Sequence, residues 1–211
     1  MEWNYDHYEQ LLIDIYMHDS DVEALIEEGL ESSESYEDCV TADRYITIID
    51  STHEEMGYLT SGATKAVIVP DEGDYVIKIP FLEYEDETRT EPNIYAAAPQ
   101  ELRRCFAAAS SMVTTEINGR QVEWYLMEKA KMDEFRLREE ADAVVAEMGR
   151  LEEWPHWREA TPLCLFQREG DLKFQRHLAS FLDSYDLDDF HFGNIGYNKD
   201  DRPVIVDYSI V

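Results

Sequence analysis

Three oxygen-bearing side chains near the carboxyl end of the sequence could hold a divalent cation. Asp189 and Asn194 are five residues apart, and Asp207 follows a short polar turn and an apolar run. If the segment is a β-hairpin centred between Asp200 and Asp201, Asn194 falls opposite Asp207. Carboxylate and carboxamide oxygens are hard ligands that suit Mg²⁺. The sequence therefore predicts a magnesium site at one end of this hairpin.

The segments ahead of this hairpin have the patterns of both helices and antiparallel strands. Apolar residues recur at the period of a helix face over residues 5–15, and helical patterns return over 20–30 and 132–149. Residues 66–79 form two strand-like runs around a Gly-containing turn, and residues 112–127 form two more around an Asn-Gly turn. The expected fold class is α+β.

The charge of the chain is strongly negative and unevenly distributed. The 211 residues carry a formal net charge of −29, and residues 1–60 hold 17 acidic residues against one basic residue, Arg44. Such a field repels nucleic acid and anionic membranes and favours a partner with a basic surface. A solvated surface tuned for solubility, or adaptation to salt, explains the same composition. The sequence leaves these alternatives open.

Cysteine usage and hydropathy predict the compartment. The three cysteines (Cys39, Cys105 and Cys164) are odd in number and widely spaced, with no Cys-x-x-Cys pair. The amino terminus lacks the pattern of a secretory signal, and no apolar run approaches the ~18 residues of a membrane-spanning helix. We therefore expect a soluble, cytoplasmic protein.

The order of these features resembles the protein-kinase-like superfamily over about residues 57–209. The shared order is a Gly-bearing strand turn, a strand lysine, a helix acid, a hairpin ending in Leu126-Met127-Glu128-Lys129-Ala130, an Asp-x-x-x-x-Asn motif and a final strand Asp. The resemblance includes the aminoglycoside-phosphotransferase-like branch, and the chain also looks like the small kinase-like proteins of bacteria and their phages. The resemblance implies a two-lobed fold, with an amino-terminal lobe that has an antiparallel sheet and linker (44–131) and a reduced helical carboxyl-terminal lobe (132–211). The charge and apolar spacing of residues 1–43 predict an acidic helical extension before it.

The resemblance implies that Lys78 holds the α- and β-phosphates of ATP. Glu91, in the following helix, would pair with Lys78, and Gly62 would lie in the loop that covers the phosphates. The backbone groups of Glu128 and Ala130 would bind adenine. Met127 would shape that pocket.

The same resemblance assigns the chemistry to the closing segment. Asp189 would accept the proton of the substrate hydroxyl or orient the nucleophile, and Asn194 and Asp207 would hold Mg²⁺. His191 would either contact the γ-phosphate or brace the loop. These roles predict a phosphotransferase that uses ATP and Mg²⁺.

The sequence also departs from the family pattern. Gly62 stands alone in the loop Thr60-Ser61-Gly62-Ala63-Thr64-Lys65, where three glycines are expected, and only two residues follow Asp207-Tyr208-Ser209. Substrate would then be held by residues 1–43 or by the insert 132–170, one of which we expect to dock a basic partner.

Three interpretations remain open at this point, and one of them is an unrelated acidic α+β interaction domain. The first is a kinase-like enzyme that phosphorylates a protein hydroxyl. The alternative is a catalytically weak or inactive kinase-like protein that binds and inhibits a partner through its acidic surface.

Overall fold

The computed structural model describes residues 3–31, 47–49, 56–61, 65–81, 90–148, 162–187 and 190–208. The predictions for Gly62 and Asp189 lie outside these residues.

The described residues form five α-helices and eight strands. The helices are α1 (Tyr5–His18), α2 (Ser20–Glu31), α3 (Glu91–Ala97), α4 (Glu134–Met148) and α5 (Leu172–Ser184). The strands are β1 (Thr47–Ile49), β2 (Met56–Ser61), β3 (Lys65–Pro70), β4 (Tyr75–Pro80), β5 (Val113–Ile117), β6 (Arg120–Glu128), β7 (Ile195–Tyr197) and β8 (Pro203–Ile205). Short 3-10 turns occupy Arg103–Cys105, Pro162–Glu169 and Phe192–Asn194. The predicted α+β class is confirmed, and no described helix is long and apolar enough to cross a membrane.

The chain divides into two compact units. Unit 1 contains residues 1–85 and 109–129 with residue 211, and unit 2 contains residues 86–108 and 130–210. Strands β1 to β6 form an antiparallel sheet in unit 1, in the order β1-β2-β3-β4-β6-β5, whereas β7 and β8 pair separately in unit 2.

The core of unit 1 lies between the two amino-terminal helices and one face of the sheet. The apolar residues predicted for α1 are in this core, with Tyr8, Leu12 and Ile15 buried. They pack with alternate residues of β3, β4 and β6, such as Ile77 and Trp124. Burying these faces removes apolar area from water, which is the main term that holds the helices on the sheet.

Polar contacts also join α1 to the sheet. The indole N–H of Trp124 donates to the Thr115 hydroxyl at 2.9 Å, and that hydroxyl donates to the Glu9 carboxylate at 2.7 Å. From α2, the Glu27 carboxylate pairs with Arg120 and accepts a hydrogen bond from the Tyr16 hydroxyl. The acidic helices therefore share hydrogen bonds as well as a core with the sheet.

Both predicted hairpins of unit 1 are present. Asn118 and Gly119 have φ values of 54° and 80°, which is the paired left-handed geometry of the tight turn that Asn-Gly favours. The turn between β3 and β4 contains Gly73 at φ 97°. A Cβ there would lie 2.5 Å from the Tyr8 hydroxyl oxygen, so this position needs glycine for both its backbone and its space.

The core of unit 2 is built around aromatic rings. Phe106 makes edge-to-face contacts with Phe181 of α5 and with Tyr208, at centroid distances of 5.7 and 5.1 Å. Next to it, burial raises the pKa of the Cys105 thiol to about 12. A thiol that stays protonated is a poor nucleophile, so Cys105 acts as a packing residue.

Candidate functional site

Lys78 lies on β4, an interior strand of the sheet. Its Cα partners are Val67 on β3 and Tyr125 on β6. Side chains alternate between the two faces of a strand, so Lys78 lies on the face opposite the one that contacts α1 and α2. The side chain is buried, at 5% relative exposure. The strand that should position this lysine is therefore present.

The predicted adenine-binding residues lie at the end of β6. Met127 pairs with Val76, which places it on the same sheet face as Lys78, and both Met127 and Glu128 are buried. Lys129 follows them, and its backbone N–H donates to Asp74 O at 2.7 Å. The chain then leaves unit 1, and Ala130 begins the second segment of unit 2.

Glu91 is a fully buried carboxylate at the start of α3. Its Oε1 atom accepts a hydrogen bond from the backbone N–H of Tyr208 at 3.2 Å. The helix begins after Thr90, whose hydroxyl accepts from Asn93 N, and Pro92 occupies its first turn. Glu91 is thus directed at the residue that follows the predicted metal ligand Asp207.

Tyr208 is held by two further contacts that the sequence did not suggest. Its hydroxyl donates to Ala107 O at 2.7 Å, and its ring packs against Phe106. The sequence offered one sign of these contacts, namely that an aromatic residue directly follows the Asp at the end of the last strand. An aromatic residue in that position by itself indicates only that its ring packs against other residues.

The other end of α3 is capped by an arginine. Arg103 donates from Nε to Ala98 O at 3.0 Å and from Nη2 to Ala96 O at 2.8 Å. A seven-residue helix leaves most of its carbonyl groups without helical partners, and a cation near them also complements the helix dipole. Arg103 therefore stabilises the helix that carries Glu91.

The closing hairpin is present, but the predicted register was wrong by one residue. The observed partners are Ile195 with Ile205, Gly196 with Val204, and Tyr197 with Pro203. The carbonyl of Asn194 accepts from the backbone N–H of Val206 at 2.9 Å. Asn194 therefore lies opposite Val206, and Asp207 comes one residue later.

The turn of this hairpin explains the shift. Asn198 N donates to Arg202 O at 2.9 Å, which leaves three residues in the loop instead of two. Asp201 has a φ of 59°, the left-handed conformation that ends three-residue hairpin loops. The Asn198 side chain stabilises the loop, because its Oδ1 accepts from the backbone N–H groups of Asp200 and Arg202.

The predicted ligands differ in exposure. Asn194 ends a short 3-10 turn and is buried at 8% exposure, whereas Asp207 is exposed after β8. His191 begins the same turn, and its Nδ1 accepts from Gly193 N at 3.0 Å. A Cβ on Gly193 would lie 2.8 Å from the imidazole ring, so glycine is needed for this contact. This hydrogen bond stabilises the turn that His191 begins, and the role of His191 stays a prediction.

Arg136 ties helix α4 to the turn of the hairpin. Its two Nη atoms bind the Asp201 carboxylate at 2.6 and 2.8 Å, its Nε donates to Glu140 at 2.8 Å, and the guanidinium lies over the Tyr197 ring at 3.9 Å. Backbone hydrogen bonds between Lys131 and Tyr197 add a second attachment. These contacts hold the hairpin that carries Asn194.

Charge and burial shift two pKa values in this group. The hydrogen bonds from Arg136 lower the pKa of Asp201. Burial, followed by the nearby Glu140 carboxylate, raises the pKa of Tyr197. Asp201 is therefore held as a carboxylate and Tyr197 as a neutral phenol, which are the forms that Arg136 binds.

Five of these residues, namely Glu91, His191, Asn194, Asp207 and Tyr208, thus lie in unit 2, whereas Lys78, Met127 and Glu128 lie in unit 1. Within the described ranges, no group of three or more His, Cys, Asp or Glu side chains is arranged to hold a metal ion. Asp189, the third predicted acid, lies outside those ranges.

The fold and these residues define an α+β protein with an antiparallel sheet. No protein-family model matches the chain, and a search of curated proteins finds no match either.

Proposed function

We propose that this chain is an ATP- and Mg²⁺-dependent phosphotransferase of the protein-kinase-like type, which transfers the γ-phosphoryl group to a hydroxyl of a protein substrate. The contact between the buried Glu91 carboxylate and the Tyr208 N–H carries the proposal. This hydrogen bond directly connects the helix acid with the segment after the last strand. The resemblance to kinases assigns both of these parts of the chain to the site for the nucleotide and its metal ion.

The donor atoms in unit 2 suit the proposed cation. Asn194 supplies a carboxamide oxygen and Asp207 a carboxylate, and both are hard ligands of the kind that Mg²⁺ takes. A Mg²⁺ ion held by these residues would neutralise phosphate charge, and Asp189 would accept the hydroxyl proton. Lys78, held on an interior strand of unit 1, supplies the cation for the α- and β-phosphates.

The shifted hairpin register favours a second candidate. Since Asp207 does not lie opposite Asn194, the two side chains lack the direct cross-strand pairing on which the metal prediction was based. This observation fits a kinase-like protein that has lost transfer activity and binds a partner through its acidic surface.

Phosphoryl transfer distinguishes the two candidates. The protein is incubated with Mg²⁺ and γ-labelled ATP, alone and with cell lysate, beside the variants Asp189→Ala and Asp207→Ala. Asp200→Ala is the matched control, because it removes an exposed carboxylate from the same hairpin. The enzyme predicts label transfer that both site variants abolish and the control retains.

Other outcomes count against catalysis. Thermal stabilisation by ATP without any transfer favours the binding protein. Equal labelling by all four proteins would show that the label comes from another source. No response to nucleotide would reject both candidates.

A further inference from the structure

Strand β5 lies at one edge of the unit 1 sheet, and among the described strands it pairs with β6 alone. Ile117 and Arg120 are Cα partners on either side of the two-residue Asn-Gly turn. Residues in that position of a tight hairpin exchange hydrogen bonds, and such pairs alternate along an antiparallel ladder. The backbone N–H and C=O groups of Thr114 and Glu116 therefore point away from β6.

The outward backbone groups of Thr114 and Glu116 are open to a partner. Both side chains are exposed, and the backbone groups of these two residues form no hydrogen bond with any described part of the chain. Further along β6, Leu126 O accepts from the Ser110 N–H at 2.8 Å, which agrees with the alternation. Each of the two outward residues thus presents one donor and one acceptor in the geometry of a strand.

The composition of β5 favours pairing with a further strand. Val113, Thr114, Thr115 and Ile117 are β-branched, and β-branched residues fit a pleated sheet well. The strand has no Pro and no Lys, two residues with which proteins commonly block an edge. An edge of this kind can bind an extended segment of another protein, which adds a strand to the sheet.

Carboxylates surround the open edge. Glu116 and Glu123 are exposed on the sheet face that α1 and α2 leave open, since the alternate residues of both strands belong to the core. Glu116 accepts from the neutral Gln121 amide at 3.2 Å, and no described cation pairs with either carboxylate. On the other face, the Glu9 carboxylate of α1 accepts from a β5 hydroxyl at 2.7 Å. An added strand would therefore meet negative charge on both faces.

We propose that the outer edge of β5 docks an extended segment of a partner protein that carries Lys or Arg at alternate positions. The backbone of the segment would exchange hydrogen bonds with Thr114 and Glu116. Residues opposite these two would have their side chains on the open face, where a Lys or Arg beside Glu116 makes a favourable cross-strand pair. A second copy of this chain is disfavoured, because it would bring another formal net charge of −29 to the same edge.

This inference does not depend on the proposed function, because β5 is outside the residues assigned to ATP and Mg²⁺. It also differs from the expectation drawn from the sequence, which was that residues 1–43 or 132–170 dock a basic partner. The backbone edge supplies the affinity, and the carboxylates around it select the charge of the partner.

The test uses the full chain and a short labelled peptide that alternates Lys with Val. Two matched peptides are controls: one has Glu in place of Lys, and the other has N-methylated Lys residues and so lacks the N–H groups that would pair with β5. Fluorescence anisotropy measures binding to wild type, Thr114→Pro and Glu116→Lys. Asp142→Lys is the matched control variant, because it makes the same charge change at an exposed position of α4 in unit 2.

We expect Thr114→Pro to weaken binding of the Lys peptide about tenfold or more, because proline removes an outward N–H and its ring obstructs the added strand. The fold should tolerate this change, since an N–H that faces away from the sheet is not used in it. Glu116→Lys should weaken binding about threefold or more, whereas Asp142→Lys should leave it near the wild-type value. The Glu peptide and the N-methylated peptide should bind weakly to every protein.

Amide hydrogen exchange on wild type gives a direct readout of the added strand. The Lys peptide should slow exchange at Thr114 and Glu116, whose N–H groups have no partner in the described chain. Exchange at Thr115 should change little, because its N–H already faces β6. If Thr114→Pro does not fold by circular dichroism, Glu116→Lys and the exchange measurement decide the question.

Several results would overturn the docking edge. Equal binding of the Lys peptide and its N-methylated form, or binding that neither β5 variant weakens, would mean that the peptide is attracted to acidic surface elsewhere. A Glu peptide that binds as tightly as the Lys peptide would contradict the selection of basic residues. Self-association of wild type that Thr114→Pro abolishes would identify a second copy as the occupant, and absence of peptide binding would also overturn the proposal.

Discussion

The Glu91 carboxylate accepts a hydrogen bond from the backbone N–H of Tyr208, a residue 117 positions later in the chain. Both groups are buried, so neither can exchange this partner for bulk water. The contact joins the start of helix α3 to the segment that directly follows β8. Asp207, the predicted metal ligand, shares a peptide bond with the N–H that Glu91 binds.

Two substitutions of Glu91 should distinguish the stabilising effect of its hydrogen bond from that of its negative charge. Glu91→Ala leaves the Tyr208 N–H buried without this acceptor and should lower the free energy of unfolding by about 1–3 kcal/mol. Glu91→Gln keeps an acceptor oxygen and should cost less. Urea denaturation measures both values, and amide hydrogen exchange at Tyr208 reports the bond itself. Equal losses in the two variants would contradict a role for the hydrogen bond.

The pair of Arg136 and Asp201 should make stability depend on pH and salt. Arg136 lowers the pKa of Asp201, so the pair stabilises the fold above the unfolded-state pKa of about 3.9 and loses this effect as pH falls through the folded-state pKa. Asp201→Asn keeps a residue that tolerates the left-handed backbone and removes only the charge.

Urea midpoints of wild type and Asp201→Asn should therefore differ at neutral pH and low salt and converge in acid or in high salt. Asp200→Asn, in the same turn, is the control and should show no such pH dependence. A difference that persists below the folded-state pKa would contradict the ion pair as its cause.

Gly73 and Gly119 offer a matched pair for testing the contact with Tyr8. Both have positive φ, but a Cβ at Gly119 meets no atom within 4 Å, whereas one at Gly73 meets the Tyr8 hydroxyl. Gly119→Ala should cost only the left-handed strain, about 1–2 kcal/mol, and Gly73→Ala should cost more. Thermal denaturation checks the order.

Combining Gly73→Ala with Tyr8→Phe tests the cause of the difference. Removing the hydroxyl oxygen frees the space that the new methyl group needs, so the double variant should lose less than the sum of the single variants. Strict additivity would show that the Tyr8 contact does not limit position 73.

Helix α1 should behave as part of the core of unit 1. Ile15→Ala removes a fully buried side chain and should lower the free energy of unfolding by about 2–5 kcal/mol. Met17→Ala, at 48% exposure on the same helix, should change it by about 0.5 kcal/mol or less. Chemical denaturation gives both values, and a similar small effect at Ile15 would mean that α1 is not needed for folding.

Local chemistry in the sequence was enough for much of the fold. Asn118-Gly119 predicts a tight hairpin because both residues tolerate positive φ, and the structure has that turn. The apolar residues of 5–15 recur with the period of a helix, and this spacing predicts α1 and its buried face. The turn and the helix could both be predicted because each depends on residues that are close together in the sequence.

The closing hairpin marks the limit of such reasoning. Its existence was predicted from two apolar runs around a polar turn, but the register predicted with it was wrong by one residue. The register depends on the left-handed backbone of Asp201, which the Asn198 side chain and the ion pair with Arg136 of α4 stabilise. A one-residue change in loop length moves every cross-strand partner, and it placed Val206 opposite Asn194.

The sequence by itself determined which elements form and which side chains could do phosphate and metal chemistry, because residue types, turn dipeptides and periodicity act over short distances. The tertiary structure decided which of those groups meet. Glu91 reaches Tyr208, and Lys65 shares a buried sheet face with Lys78, through strand register and helix packing that join distant parts of the chain. In each pair the two residues come from different segments of the chain, and the residue pattern of one segment does not specify which residue of the other it will contact.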